Sequence, residues 1–288
     1  MVGEEGLPDL LSVNINGDLE DREIVRIAKR FKAVWVGYNP LFKDPFYVAD
    51  LIADHVDFVG FGVLTVDLGC GRILEEFRNL VKEHRDTTFA LGIGAGTLRG
   101  DFGLKAVLKC LKFLRGNVNL LFCGCSGPRI TSEASKIVDG ILFNYAHPEH
   151  LKWIIGFLKR DVYKVAYAPS LILPSEFELD LLIACAIVSC SNGTFVKTFG
   201  YDGMCRELLK LDFLRVIKER KSSGCIPEEM EKYRDILIDR FAIAGDFDCF
   251  VRRLRELLKI CDHIVLGDPF FRDPKSVKHF EEILRSLK

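Results

Sequence analysis

Short, β-branched apolar runs alternate with amphipathic stretches along most of the chain, and no other feature constrains the fold as strongly. Strand-like runs fall at Leu11–Asn16, Ala33–Asn39, Phe58–Val66, Thr88–Gly94, Asn119–Gly124, Gly140–Asn144, Lys164–Leu171 and His263–Gly267. Amphipathic segments between them predict helices over Glu20–Phe31, Pro45–Asp54, Ile73–His84, Leu104–Leu114, Arg129–Val138, Glu149–Leu158 and Phe247–Ile260. Strands linked through helices run parallel with right-handed crossovers. Eight such units close into an α/β (β/α)8 TIM barrel, with a doubly wound open sheet as the alternative.

The alternation breaks once. From Pro174 to Ala244 the pattern stays helical, over Phe177–Ser189, Asp202–Glu219 and Pro227–Phe241. Segment 174–244 reads as a helical insertion between the seventh and eighth strands. No linker or low-complexity tract divides the chain, so 1–288 reads as a single domain.

Charge and composition narrow the function. With 40 Lys+Arg against 41 Asp+Glu, the chain lacks the positive field of a generic nucleic-acid binder, whose affinity comes from phosphate neutralisation. No apolar run approaches the roughly 18–20 residues of a membrane span. Met1–Asp9 carries Glu4, Glu5 and Asp9 and has neither the basic nor the apolar region of a signal peptide. The ten cysteines form no CxxC pair and most lie in apolar runs, which predicts reduced, unpaired thiols and a cytoplasmic protein. A small molecule is the expected partner.

In such a barrel the chemistry gathers at the C-terminal strand ends. Here those ends are rich in Gly, Asn, Ser and Pro and poor in paired acids and bases, which suits holding a cofactor. Gly92-Ile93-Gly94-Ala95-Gly96 is either a turn that lets backbone approach a ligand or a tight rim turn. It lacks the acidic partner of a dinucleotide site. Gly124-Cys125-Ser126-Gly127-Pro128 leads straight into a helix and fits a phosphate at its N-terminus; ordinary capping explains Ser126 equally well. His147-Pro148-Glu149-His150 has metal-pair spacing, but Pro148-Glu149 is a normal helix opening and no third ligand lies nearby, so no metal is expected. Asn144 and His147 read instead as hydrogen-bonding groups near a bound ring, and Asp262-His263 as structural.

Three stretches carry a resemblance: Leu91–Gly96, Gly124–Pro128 running on to Ile137–Asn144, and Ala244–Asp246 through Asp262–Pro269. In order and spacing they resemble the bacterial-luciferase-like (β/α)8 superfamily, and within it the archaeal coenzyme F420-dependent methylenetetrahydromethanopterin reductases. The resemblance spans roughly Leu11 to Leu287. It implies a deazaflavin or flavin at the barrel mouth, a phosphate near Gly124–Arg129, and a non-prolyl cis peptide at Gly62-Val63. Several expected polar groups differ: Asn14 stands for a strand-one carboxylate, and Tyr38-Asn39 after Trp35 for an Asp-His pair. Thr97 stands for an acid, with Asp101 a few residues on. The connection from strand four to strand five has room for one helix only.

The resemblance therefore implies an F420-dependent oxidoreductase of one-carbon metabolism, passing hydride to or from a pterin or another carbon substrate. Gly62, Val63, Gly94, Gly96, Thr97, Gly124, Ser126, Gly127 and Asn144 are the expected cofactor contacts. Asp67, Asp101 and Asn39 are the expected catalytic polar groups. Two other readings stay open: an FMN-dependent oxidoreductase or monooxygenase, and a diverged non-catalytic barrel serving as a binding or partner subunit. A homo-oligomer, or a hetero-partner on the insertion, is expected.

Overall fold

The computed structural model describes residues 10–213, 215–216 and 226–287. The charged N-terminal segment 1–9, Cys225, and residues 214 and 217–219 of the expected Asp202–Glu219 helix lie outside the described residues.

Eight parallel strands close a barrel: β1 (Leu11–Ile15), β2 (Ala33–Val36), β3 (Phe58–Thr65), β4 (Thr88–Gly94), β5 (Leu121–Cys125), β6 (Gly140–Phe143), β7 (Tyr163–Ile172) and, after a short β8 (Ile243–Gly245), β9 (His263–Gly267). Closure runs through Leu11 opposite Ile264 and Val165 opposite His263, with Gly140 opposite Tyr163 joining β6 to β7. This is the (β/α)8 barrel, not the open sheet. Outside it run α1 (Asp21–Ala28), α2 (Pro45–Ala53), α3 (Cys70–Glu83), α4 (Gly100–Leu114), α5 (Pro128–Ala134) and α6 (Pro148–Ile155). The single helix α4 between β4 and β5 is the short connection read from the sequence.

The insertion follows β7 and holds α7 (Glu178–Ser189), α8 (Gly193–Phe199), α9 (Asp202–Leu208), α10 (Glu228–Lys232) and α11 (Arg234–Phe241). It ends in β8, which pairs with the far end of β7 through Ser170 opposite Ile243. The chain then returns through α12 (Phe247–Leu258) and closes with α13 (Pro274–Leu287). Among the described residues no single helix is long and apolar enough to cross a membrane.

Strand periodicity divides the core in two. Trp35, Phe58, Phe122, Leu142, Val165 and Val265 fill the barrel, while Val34, Val36, Val59, Phe61 and Leu91 face the helices. Trp35 packs against Phe58 and Phe122 with ring centroids 5.5 Å apart in each pair. Its neighbour across the sheet must be small: a β-carbon on Gly60 would stand 2.4 Å from the indole ring.

The expectation that all cysteines are unpaired is corrected. Cys70, at the start of α3, and Cys110, in α4, form a disulfide with their Cα atoms 5.7 Å apart. Consecutive barrel helices pack side by side, so residues 40 apart in sequence meet in space. The other described cysteines are free and mostly buried. The thiol argument for a reducing compartment therefore loses its premise.

Candidate active site

The Gly62–Val63 peptide at the end of β3 is cis, as the resemblance implies. The Val63 side chain reaches over the two neighbouring strand ends. A β-carbon on Gly94 would lie 2.6 Å from Val63 Cγ2, and one on Gly124 would lie 2.9 Å from Cγ1. Real β-carbons do not approach so closely, so these ends of β4 and β5 accept only glycine while Val63 stays in place. Gly62 is confined from the other side, since a β-carbon there would come 2.6 Å from Tyr167 Cε2. Gly62, Val63, Gly94 and Gly124 thus form one packed surface at the C-terminal mouth.

Asp67 sits in the 3-10 turn just past β3. Its Oδ2 accepts hydrogen bonds from the Thr97 backbone N–H (3.1 Å) and hydroxyl (3.3 Å). Gly96 lies beneath them with φ +62, and a β-carbon there would be 2.2 Å from the same carboxylate oxygen. Conformation and space both call for glycine. The Thr65 hydroxyl beside Gly96 is buried with no hydrogen-bond partner among the described residues.

The other expected residues make contacts of their own around the mouth. Asp101 opens α4 and pairs with Arg129 at 2.5 Å, both side chains being exposed. Asn39 holds its own turn, its Oδ1 accepting from the Leu41 N–H at 3.0 Å. Asn144 is exposed just past β6. In the loop after β5, the Ser126 carbonyl accepts from the Tyr145 hydroxyl (2.6 Å) and the Gly127 carbonyl from Thr131 (2.9 Å). A side chain of the insertion also presses on this loop: a β-carbon on Gly127 would lie 2.3 Å from Asn192 Nδ2.

The two histidines divide their roles. His147 caps α6, its Nδ1 accepting from the Glu149 N–H at 3.3 Å, and Arg240 Nη1 lies 3.3 Å from its Nε2. Desolvation and the Arg240 charge hold it below the usual histidine range. His150 is fully buried, 3.1 Å from the Tyr201 hydroxyl and packed against Phe195, Phe199 and Phe241. Burial pushes it down to about 3. Asp262 and His263 are structural, as read from the sequence. The Asp262 carboxylate accepts from the Lys164 N–H at 2.7 Å, and the His263 Nε2 lies 2.6 Å from the Ser12 hydroxyl.

Across the mouth, the expectation of few paired acids and bases is corrected. Arg272, almost fully buried, pairs with Asp18 at 2.8 Å and with Asp268 at 2.6 Å. Asp268 also accepts from Asn16 Nδ2 at 2.8 Å. Despite desolvation, the two carboxylates raise the guanidinium further above its usual range, so it stays charged. The Tyr167 phenol, which confines Gly62, is raised by burial and by the Asp268 charge.

No family model matches the sequence, and no curated protein matches it significantly. Solved structures do. The F420-dependent tetrahydromethanopterin reductase of Methanopyrus kandleri is 18% identical, aligns over 97% of this chain and 99% of its own, and gives a TM-score of 0.72. An F420-dependent secondary alcohol dehydrogenase, solved with an F420-acetone adduct, is 10% identical over 98% of this chain and 100% of its own, with a TM-score of 0.66. A type II Baeyer-Villiger monooxygenase from a Pseudomonas putida plasmid, solved with FMN, is 10% identical over 96% of both chains, with a TM-score of 0.54. This chain shares their barrel fold.

Within this barrel, sequence reasoning missed Asp18, Tyr167, Asp268 and Arg272. Asp18 and Asp268 lie in the loops just past β1 and β9. Only closure of β1 against β9 brings them to one guanidinium.

Proposed function

We propose that the mouth binds coenzyme F420 and that the protein is an oxidoreductase acting on a carbon substrate, with a C1-carrying pterin as the first candidate. One observation carries the reading: Val63 is set against Gly94 and Gly124 at the mouth of a fold that spans the F420-dependent neighbours almost end to end. The deazaflavin, when bound, supplies the hydride chemistry, and the protein supplies orientation and electrostatics.

In this reading Gly62, Val63, Gly94 and Gly96 back the ring. Thr97 and Asn144 offer polar contacts, and Gly124, Ser126 and Gly127 face the phosphate. Asp67 holds Thr97 in place beside Gly96 and is the first candidate for holding a proton; Asp101 and Asn39 are further candidates. The fit is supported by the buried Thr65 hydroxyl, which lacks a partner among the described residues, and by the Asn192 amide, whose nitrogen lies at the Gly127 loop. Exposed Ile187 and Leu209 on the insertion support a homo-oligomer, or a hetero-partner, meeting there. Sedimentation distinguishes these from a monomer.

Titration of the purified protein with F420 and, separately, FMN, followed by absorbance and fluorescence, tests it. Saturable F420 binding is the expected result. Binding of FMN alone transfers the reading to a flavin-dependent oxidoreductase or monooxygenase, and binding of neither overturns both. A non-catalytic barrel is favoured by one observation, the engagement of Asp101 by Arg129. F420 binding without turnover of any candidate substrate would select that reading.

A further inference from the structure

At the end of the barrel opposite the mouth, a cavity of about 430 Å³ is lined by Lys112, Arg115, Lys136, Ile137 and Arg160. Lys112 comes from the last turn of α4, and the others from the helix-to-strand loops after α4, α5 and α6. Barrel closure therefore gathers cations that lie up to 48 positions apart in a chain whose net charge is only −1. Two of the four are compensated: Arg115 pairs with buried Asp139 at 2.6 Å, and Lys136 with Glu133 at 2.8 Å. Among the described residues neither Lys112 nor Arg160 has a carboxylate partner.

The Arg160 guanidinium is held in place by backbone. Its Nε donates to the Ser135 carbonyl at 2.7 Å, and its Nη2 donates to the Val138 carbonyl. These bonds fix its position without neutralising its charge. The same charges act on Glu133, whose carboxyl is held below its usual range by its hydrogen bond to Lys136 and by the charges of Lys136, Lys159 and Lys112. Five cations thus converge around one exposed and one buried acid. The site is an open basin, and a basin lined by one sign of charge concentrates counter-ions.

We propose that this cavity is a second ligand site, remote from the mouth, for a small anion carrying a diphosphate group. Lys112 and Arg160 supply the uncompensated charge. Arg115 and Lys136 share their donors between the ligand and their own carboxylates.

Pyrophosphate titrated calorimetrically into the full-length protein provides the test, with K112E/K136E as the site variant. Both lysines are exposed, so the variant is expected to fold, which an unchanged far-ultraviolet spectrum and F420 titration confirm. Charge reversal at two ligand-facing positions should weaken pyrophosphate binding roughly tenfold or more. A second variant, K29E/K32E, makes the same change in net charge at the end of α1, on the other side of the barrel. It should bind pyrophosphate as the parent does. Absence of binding to the parent, equal binding by K112E/K136E, or an equal loss in K29E/K32E would each overturn the proposal. The last outcome would mean that binding follows net charge alone.

Discussion

Val63 and Gly94 share one space: the valine Cγ2 stands 2.6 Å from where a β-carbon on Gly94 would be. Gly94→Ala must therefore displace Val63, and with it the surface that also includes Gly62 and Gly124. Overpacking of this kind costs about 1–3 kcal/mol. The loss should appear in denaturant unfolding and as weaker F420 binding. Val63→Ala removes the obstructing methyls, so V63A/G94A should be less destabilised than the sum of its parts. Additive losses in the double-mutant cycle would show that the two side chains do not compete.

Arg272 is the hinge of the ion network across the mouth. Its removal leaves Asp18 and Asp268 facing each other without the guanidinium between them. Breaking a buried pair from one side costs about 3–5 kcal/mol, mostly through the charge left behind. Arg272→Met should lower the melting temperature sharply, and adding D18N and D268N should recover much of the loss. If the triple variant melts no higher than the single one, the network does not act as a charge cluster.

The strands were legible because each is a short apolar run with its own turn signals; Thr88–Gly94 and His263–Gly267 match residue for residue. Helix ends were less so: Cys70 and Gly100 begin helices whose apolar faces start later, at Ile73 and Leu104. Three-residue β8 is too short for periodicity to register, and α13 was not singled out. The glycine motifs were legible because their meaning is local: Gly94, Gly96 and Gly124 lie at C-terminal strand ends where added β-carbons would clash. The Arg272 network and the Cys70–Cys110 bond were illegible because they join residues from distant turns of the chain. Only the closed barrel defines those contacts.

Acid should destabilise the insertion through His150. Its folded-state value is pushed down to about 3 by burial among aromatic rings, against an ordinary value of 6.5. Below pH 6.5 the unfolded chain takes up a proton that the folded chain refuses. Stability is thus fully present above pH 6.5 and falls by up to about 1.4 kcal/mol per pH unit toward pH 3. His84 works oppositely: desolvation lowers it, but hydrogen bonds to Asp50 and Asp54 raise it overall. Its smaller contribution is present below pH 6.5 and is lost as pH rises through its folded value, by less than about 1 kcal/mol because the acids are exposed. Urea midpoints from pH 4 to 9 measure both effects. H150L should flatten the acid limb, and H84N the alkaline one; unchanged limbs would remove these histidines from the account.

Cys70 follows directly on the turn that carries Asp67, so its bond to Cys110 ties the Asp67–Thr97 contact to helix α4. The bridge closes a loop of 40 residues, and a cross-link of that kind restricts the unfolded chain by about 2–4 kcal/mol. C70S/C110S should lose stability in that range, and dithiothreitol should do the same to the parent and nothing further to the variant. Thiol titration of the denatured parent should find two fewer reactive groups before reduction than after it. If the titrations agree, the two cysteines are free in solution and the predicted loss disappears with the bond. A measured bond with unchanged F420 affinity in C70S/C110S would show that it stabilises the fold without shaping the mouth.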